Sequence, residues 1–166
     1  MCWVGSIHDK RIAKRDITVY KILRKCGIKR IEYNAPFRDT TKYKIGCGYN
    51  VPYLGVRNYG CGDIEINEGL HCYSLNVYIK FSMDCDLITY SSDGIRSGLQ
   101  RYYHYESRNT YKYVIAKCII PKGSTYFINN AGEIVTEALH IIEDIGVPTN
   151  TSPLRFREIE KNCLLK

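Results

Sequence analysis

Long apolar runs are missing from these 166 residues. No stretch approaches the roughly 18 to 20 apolar residues that a membrane-spanning helix needs, so no helical span is expected. Trp occurs once, Met twice and Phe four times, so a core has to be built from aliphatic side chains and tyrosine. Metal-ligand spacing is absent too. The eight cysteines (2, 26, 47, 61, 72, 85, 118 and 163) contain no CxxC pair, and the four histidines form no ligand pair. Cys47, Cys61, His71 and Cys72 would converge only through the fold, and neither a metal nor a cofactor is expected. An apolar leader is also missing: MCWVGSIHDKR turns charged within nine residues. The expectation is a cytoplasmic protein whose cysteines are reduced thiols, several of them packed as small hydrophobes.

Two biases stand against these absences. Lys and Arg outnumber Asp and Glu by 24 to 17, and the excess sits early in the chain. Residues 1–60 carry 13 basic and 4 acidic side chains, and the remainder carries 11 and 13. A basic first third suits an anionic partner, because its field raises the local concentration of phosphates. The second bias is tyrosine, with fifteen residues. Tyrosine offers a stacking face and a hydroxyl, and it also fits a β-rich chain.

The clearest pattern is YVIAKCIIPKGSTYFINNAGEIVTEALHIIE at 113–143. Val114, Ala116, Cys118 and Ile120 alternate with Tyr113, Ile115, Lys117 and Ile119, as a strand requires. Pro121 lacks an N–H and Gly123 permits positive φ, which ends the run in a turn. A strand over 124–128, an Asn129-Asn130-Ala131-Gly132 turn and a third strand over 133–142 follow. ITVYKILR at 17–24 is another alternating run, and short strands are predicted at 68–74 and 87–90. Ser74 before LNVYIKFSM predicts a two-turn helix, and Ser152-Pro153 predicts a closing helix. The polar stretch 91–110 reads as a loop with one helical turn. The fold expectation is therefore α+β in a single domain over 1–166. It would be a twisted, mainly antiparallel sheet of about six strands with two or three short helices.

Between Cys26 and Gly69 regular pattern fades, while Tyr33, Tyr43, Tyr49, Tyr53, Tyr59 and seven glycines accumulate. A long patternless stretch in a compact domain is a candidate ligand wall or hides short strands. Arg38 and Arg57 are the candidate phosphate contacts there, and Tyr49, Tyr53 and Tyr59 the candidate stacking faces. His71 and Tyr73 flank the wall on a short strand. Glu133 and Glu137, two residues of pleat apart on one predicted strand, are the candidate carboxylates: ribose ligands in a binder, catalytic groups in an enzyme. Gly46-Cys47-Gly48 and Gly60-Cys61-Gly62 lack the Lys-Ser/Thr that makes a phosphate loop specific. Nucleic acid is not an expected partner, since the Lys and Arg residues form no stripe on a reading element. Homo-oligomerisation is left open.

Two blocks, EGLHCYSLNVYIKF at 68–81 and CIIPKGSTYFINNAGEIVTEALHI at 118–141, together with RIAKRDITVYKIL at 11–23, resemble small uncharacterised proteins of gut bacteria and their phages. A more distant likeness is to ADP-ribosyltransferase folds of the poly-ADP-ribose polymerase type. Gly69–Ser74 resembles that family's first strand-before-helix motif, Ile119–Ser124 its glycine-turned strand, and Gly132–Val135 its Glu-led strand. That resemblance implies a cleft for NAD or a related nucleotide. VYKILRKCG departs from it by lacking the His-Gly pair that holds NAD. The combined expectation is a non-catalytic binder that sequesters an ADP-ribose-derived or cyclic nucleotide, a phage sponge against host defence signalling. The enzyme alternative is an ADP-ribosyltransferase or nucleotide hydrolase using Glu133 or Glu137.

Overall fold

The computed structural model describes residues 3–27, 30–35, 41–75, 77–82, 87–92, 100–102, 111–146 and 154–155; of these, 77–82, 87–92, 100–102, 111–113 and 154–155 are described by backbone alone. In chain order the strands are β1 (Trp3–Ser6), β2 (Lys10–Ile12), β3 (Ile17–Cys26), β4 (Glu32–Asn34), β5 (Lys42–Tyr43) and β6 (Gly48–Asn50). They continue with β7 (Val56–Gly60), β8 (Asp63–Ile66), β9 (Leu70–Tyr73), β10 (Val77–Ser82), β11 (Leu87–Ser92) and β12 (Gln100–Tyr102). The last are β13 (Tyr111–Ile120), β14 (Thr125–Ile128), β15 (Glu133–Thr136), β16 (Ala138–Gly146) and β17 (Leu154–Arg155). Among the described residues nearly all regular structure is strand, which makes the protein a β protein and overturns the α+β expectation. Among the described residues the helical content is one 3₁₀ turn, Ile7–Asp9, capped by Ser6 and Asp9.

Each misread element has a local cause. The segment after Ser74 holds Val77, Tyr78, Ile79 and Phe81, all strand formers, and pairs on both sides as β10, with β11 and β17. Leu154–Arg155, where the closing helix was expected, is the short strand β17; the rest of that expected helix lies outside the described residues. The stretch 91–110 contributes β12, and its remainder is likewise outside them. The patternless stretch after Cys26 resolves into β4 to β8, each of two to five residues. Such runs are too short for a period to show.

The main sheet has the order β2-β14-β15-β9-β3-β13-β16-β6, with β4 and β5 added beside β3. Its spine is the β3–β13 pair, antiparallel over ten residues from Tyr111↔Cys26 to Ile120↔Ile17. Alternation sends Val19 and Leu23 from β3, and Val114, Ala116, Cys118 and Ile120 from β13, to one face. There they pack with Cys72, Ile134, Leu139 and Ile141. A smaller sheet, β1-β8-β7, covers the opposite face of β14 and β15. Trp3 anchors it, its ring 5.6 Å from Phe127 and its Nε1 donating to Glu133 O at 2.9 Å.

Two lysines occupy the core face. Lys21, 5% exposed, donates to His71 O at 2.5 Å, and its ammonium sits 5.2 Å from the Tyr43 ring centroid. Lys25 donates to Asp144 Oδ2 at 2.7 Å, and Tyr33 Oη donates to the same oxygen at 2.8 Å. Gly146 N–H fills Asp144 Oδ1 at 2.8 Å. This latch joins β4 and β3 to β16 across β13. The Asp144 carboxylate holds the Lys25 pKa above its usual value, against the opposing effect of burial. Burial, then the Asp144 bond, raises that of Tyr33.

Candidate functional site

The structure distributes the sequence-predicted site residues over several surfaces. Arg38 lies outside the described residues. Tyr49 is half-buried: its ring meets Tyr43 edge-on at 4.9 Å, and its hydroxyl accepts from Lys44 N at 2.6 Å. It closes one end of the core, and burial raises its pKa. His71 and Tyr73 alternate with the core residues Leu70 and Cys72 on β9, and Tyr73 is buried opposite Tyr20. These three residues are wall and core.

Arg57 and Tyr59 lie on β7, the outer strand of the small sheet, and Tyr53 lies in the loop that leads into it. Every residue of β7 is exposed, and Tyr53 and Tyr59 are about three-fifths exposed. Their hydroxyls are anchored on carboxylates. Tyr59 Oη donates to Glu65, and a hydrogen bond to Glu68 raises the Tyr53 pKa. Arg57 stands opposite Glu65 in the pairing of β7 with β8. One cation therefore shares this edge with Asp63, Glu65 and Glu68. An edge that carries three carboxylates and one guanidinium makes a poor seat for an anion.

The two candidate carboxylates are also separated. The expected strand over 133–142 breaks at Glu137, where β15 turns into β16. Thr136 Oγ1 bonds both Thr125 O and Ala138 O at that corner, at 3.0 and 3.1 Å. Glu137 Oε1 accepts from Thr125 N at 2.7 Å, and its main chain bonds Thr125 O and Val51 N. Glu133 closes the preceding turn: Asn129 Nδ2 donates to Glu133 Oε2 at 2.9 Å, and Glu133 N donates to Asn129 Oδ1 at 3.0 Å. Gly132, at φ +78, makes that turn possible. The Glu137 carboxylate holds a main-chain corner and the Glu133 carboxylate holds the Asn129 side chain of the preceding turn, and Glu133 and Glu137 do not share one strand.

A basic edge emerges that residue-by-residue reading missed. β2 is the first strand of the main sheet and, among the described residues, pairs only with β14. Lys10 and Arg11 lie on it, and Lys14 and Arg15 on the bend that follows; all four are exposed. Ala13, buried, ties that bend to the turn after β13: Ala13 N donates to Ser124 O at 2.9 Å and Gly123 N to Ala13 O at 2.7 Å. Lys122 N then donates to Asp16 Oδ1 at 2.9 Å, which brings a fifth exposed cation to the same place. The nearby carboxylates are engaged with main chain, Asp16 with Lys122 N and Asp9 with Ser6 N. Among the described residues, no carboxylate is ion-paired with any of these five cations. RIAKR was legible as charge, but the arrival of Lys122 from more than 100 residues away was not.

Cys26, Cys47, Cys61, Cys72 and Cys118 are free thiols. Burial pushes the Cys72 pKa up strongly and that of Cys118 to about 12, with Lys21 pulling both the other way. These two are inert core groups. Among the described residues no three His, Cys, Asp or Glu side chains gather to hold a metal, and no helix is long and apolar enough to cross a membrane. No family model, curated protein or solved structure matches the chain.

Proposed function

We propose that the protein binds and sequesters a small phosphorylated, nucleotide-like anion at its basic edge and releases it chemically unchanged. The observation that carries this reading is the gathering of Lys10, Arg11, Lys14, Arg15 and Lys122 on one exposed margin, with no carboxylate ion-paired to them among the described residues. Neighbouring cations along this margin add their fields at a ligand that sits within about one Debye length of them, roughly 8 to 10 Å at physiological salt. A binder that does no chemistry is favoured by the commitment of the Glu137 carboxylate to a main-chain corner and of the Glu133 carboxylate to the Asn129 side chain. A catalytic carboxylate has to meet the ribose in the transition state. The five free thiols suit a reducing compartment, in keeping with a cytoplasmic site of action.

The test combines calorimetry with product analysis. ATP, ADP-ribose and NAD are titrated into the purified protein, then recovered after heat denaturation and examined by chromatography. Saturable binding with intact ligand is the expected result. A product that forms with the wild type and disappears in Glu133→Gln or Glu137→Gln would replace the binder with an enzyme.

A further inference from the structure

We propose that copies of this chain assemble head to tail, the acidic β7 edge of one docking on the basic β2 edge of the next. The inference is independent of the anion-binding reading and gives the same cations a second occupant.

The two exposed edges carry opposite charge. On the β2 margin Lys10, Arg11, Lys14, Arg15 and Lys122 stand against Asp9, Asp16 and Glu137, the last bonded to Thr125 N opposite Ile12, which leaves two positive charges. At β7 the carboxylates of Asp63, Glu65 and Glu68 stand against Arg57, which leaves two negative charges. Copies that met through the same edge would set like charge on like charge, as an isologous contact requires. Placing β7 on β2 of a neighbour sets opposite charges together. Within one chain the edges belong to different sheets, β7 ending the order β1-β8-β7 and β2 beginning the main one. Among the described residues no ion pair joins the five cations to a carboxylate of their own chain.

Each edge also carries apolar surface for the contact to cover. Ile12 is 64% exposed on β2, and Tyr53, Val56 and Tyr59 are 61%, 44% and 60% exposed at β7. Apolar groups inside a charged rim are the usual make-up of an interface, in which charge sets the orientation and apolar burial holds it. Side chains carry this contact. The Arg11 guanidinium donates to His8 O and Lys10 O, which covers two carbonyls of the β2 margin, and β7 is irregular between Asn58 and Gly60. Both features interrupt a continued ladder of main-chain bonds, as protected edges do. The net charge of +7 on the whole chain opposes close approach in general, so association is confined to the orientation that sets carboxylates on cations.

The experiment is analytical ultracentrifugation of the full chain from about 10 to 500 µM, in 50 and 500 mM NaCl. Phosphate and nucleotide are left out, because they would compete for the same cations. At 50 mM NaCl the weight-average mass should rise with concentration past twice the 19.2 kDa of the chain, since a heterologous contact does not stop at two. At 500 mM it should stay at the mass of one chain. Lys14→Glu with Arg15→Glu, and separately Asp63→Lys with Glu68→Lys, should each weaken association at least tenfold. An equimolar mixture of the two variants should recover it, because each supplies the edge that the other has lost. Circular dichroism of both should match the wild type. A wild type that stays at the mass of one chain in 50 mM NaCl, one that stops at the dimer, or a mixture of folded variants that stays monomeric overturns the head-to-tail contact. ATP binding, measured separately, then stands or falls by itself.

Discussion

Two exposed strand edges invite comparison, β2 on the main sheet and β7 on the small one. β7 and the loop before it carry the tyrosines, the glycines and Arg57, and by composition they look like a ligand wall. Folded, that edge is electrically closed: Tyr59 is anchored on Glu65, Tyr53 on Glu68, and Arg57 faces Glu65 in the sheet. β2 is a three-residue strand with no aromatic residue, yet with its bend and the Lys122 turn it gathers five cations and no carboxylate partner among the described residues. Residue type draws attention to β7; the balance of charge in three dimensions points to β2. Exposed aromatic rings count as binding faces only after their polar ends have been traced.

The largest expected effect separates the two edges by stability. Ile64, fully buried on β8, holds the small sheet against Phe127 and Val135. Ile64→Ala should cost about 2 to 5 kcal/mol in urea unfolding, the usual range for truncating a buried aliphatic side chain. Its anion affinity, measured well below the melting temperature, should stay within about twofold. A large loss of affinity would show that the two edges form one surface. Next in size is charge reversal. Lys14→Glu combined with Arg15→Glu should weaken nucleotide binding by roughly a hundredfold, about 2.7 kcal/mol, while Arg57→Glu should leave it nearly unchanged. If Arg57→Glu does the greater damage, the comparison is the wrong way round.

The fold was partly legible in the sequence. β3, β13 and β14, with the Gly123 and Gly132 turns between and after the last two, follow from alternation and turn chemistry, because each strand is long enough or sharply enough bounded for its period to show. Alternation separates the two faces of β13 without saying which is inward: Val114, Ala116, Cys118 and Ile120 are buried, and on the other face Ile115 is buried while Ile119 is only partly so. The helix expected after Ser74 failed because a capping residue says where a helix can begin, and β-branched and aromatic residues with strand partners on both sides decide that it does not. The break at Glu137 was invisible because its cause is a set of bonds to Thr125, twelve residues back. The candidate site fared worse for the same kind of reason. Glu65, Glu68 and Lys122 change the meaning of Tyr59, Tyr53 and Lys14 only once they are adjacent in space.

The third expected effect concerns the interior that both edges share. Burial keeps the Cys72 and Cys118 thiols protonated to higher pH than in the unfolded chain, Cys118 to about 12. Above pH 9 the unfolded chain binds fewer protons, so stability that is complete below that pH declines as it rises toward 12. The raised values of Lys25 and Tyr33 act in the same direction above about pH 10. Urea midpoints should be level from pH 7 to 8.5 and fall steadily beyond, and Cys72→Ser with Cys118→Ala should delay the onset. A midpoint that rises with alkalinity would contradict this account of the core. The smallest expected effect returns to β7. Tyr53→Ala and Tyr59→Ala, at exposed positions, should each change stability by no more than about 0.5 kcal/mol and affinity by less than about twofold.

The most direct test of the central claim is the calorimetric affinity for ATP as a function of NaCl concentration, in the wild type and in the Lys14→Ala, Arg15→Ala, Lys122→Ala triple variant. Exposed cations acting through their summed field predict a wild-type affinity that falls by about fivefold or more between 50 and 200 mM NaCl, and a triple variant that binds weakly at every salt concentration. Binding that ignores salt, or that survives intact in the triple variant, would contradict the assignment of the basic edge as the ligand site.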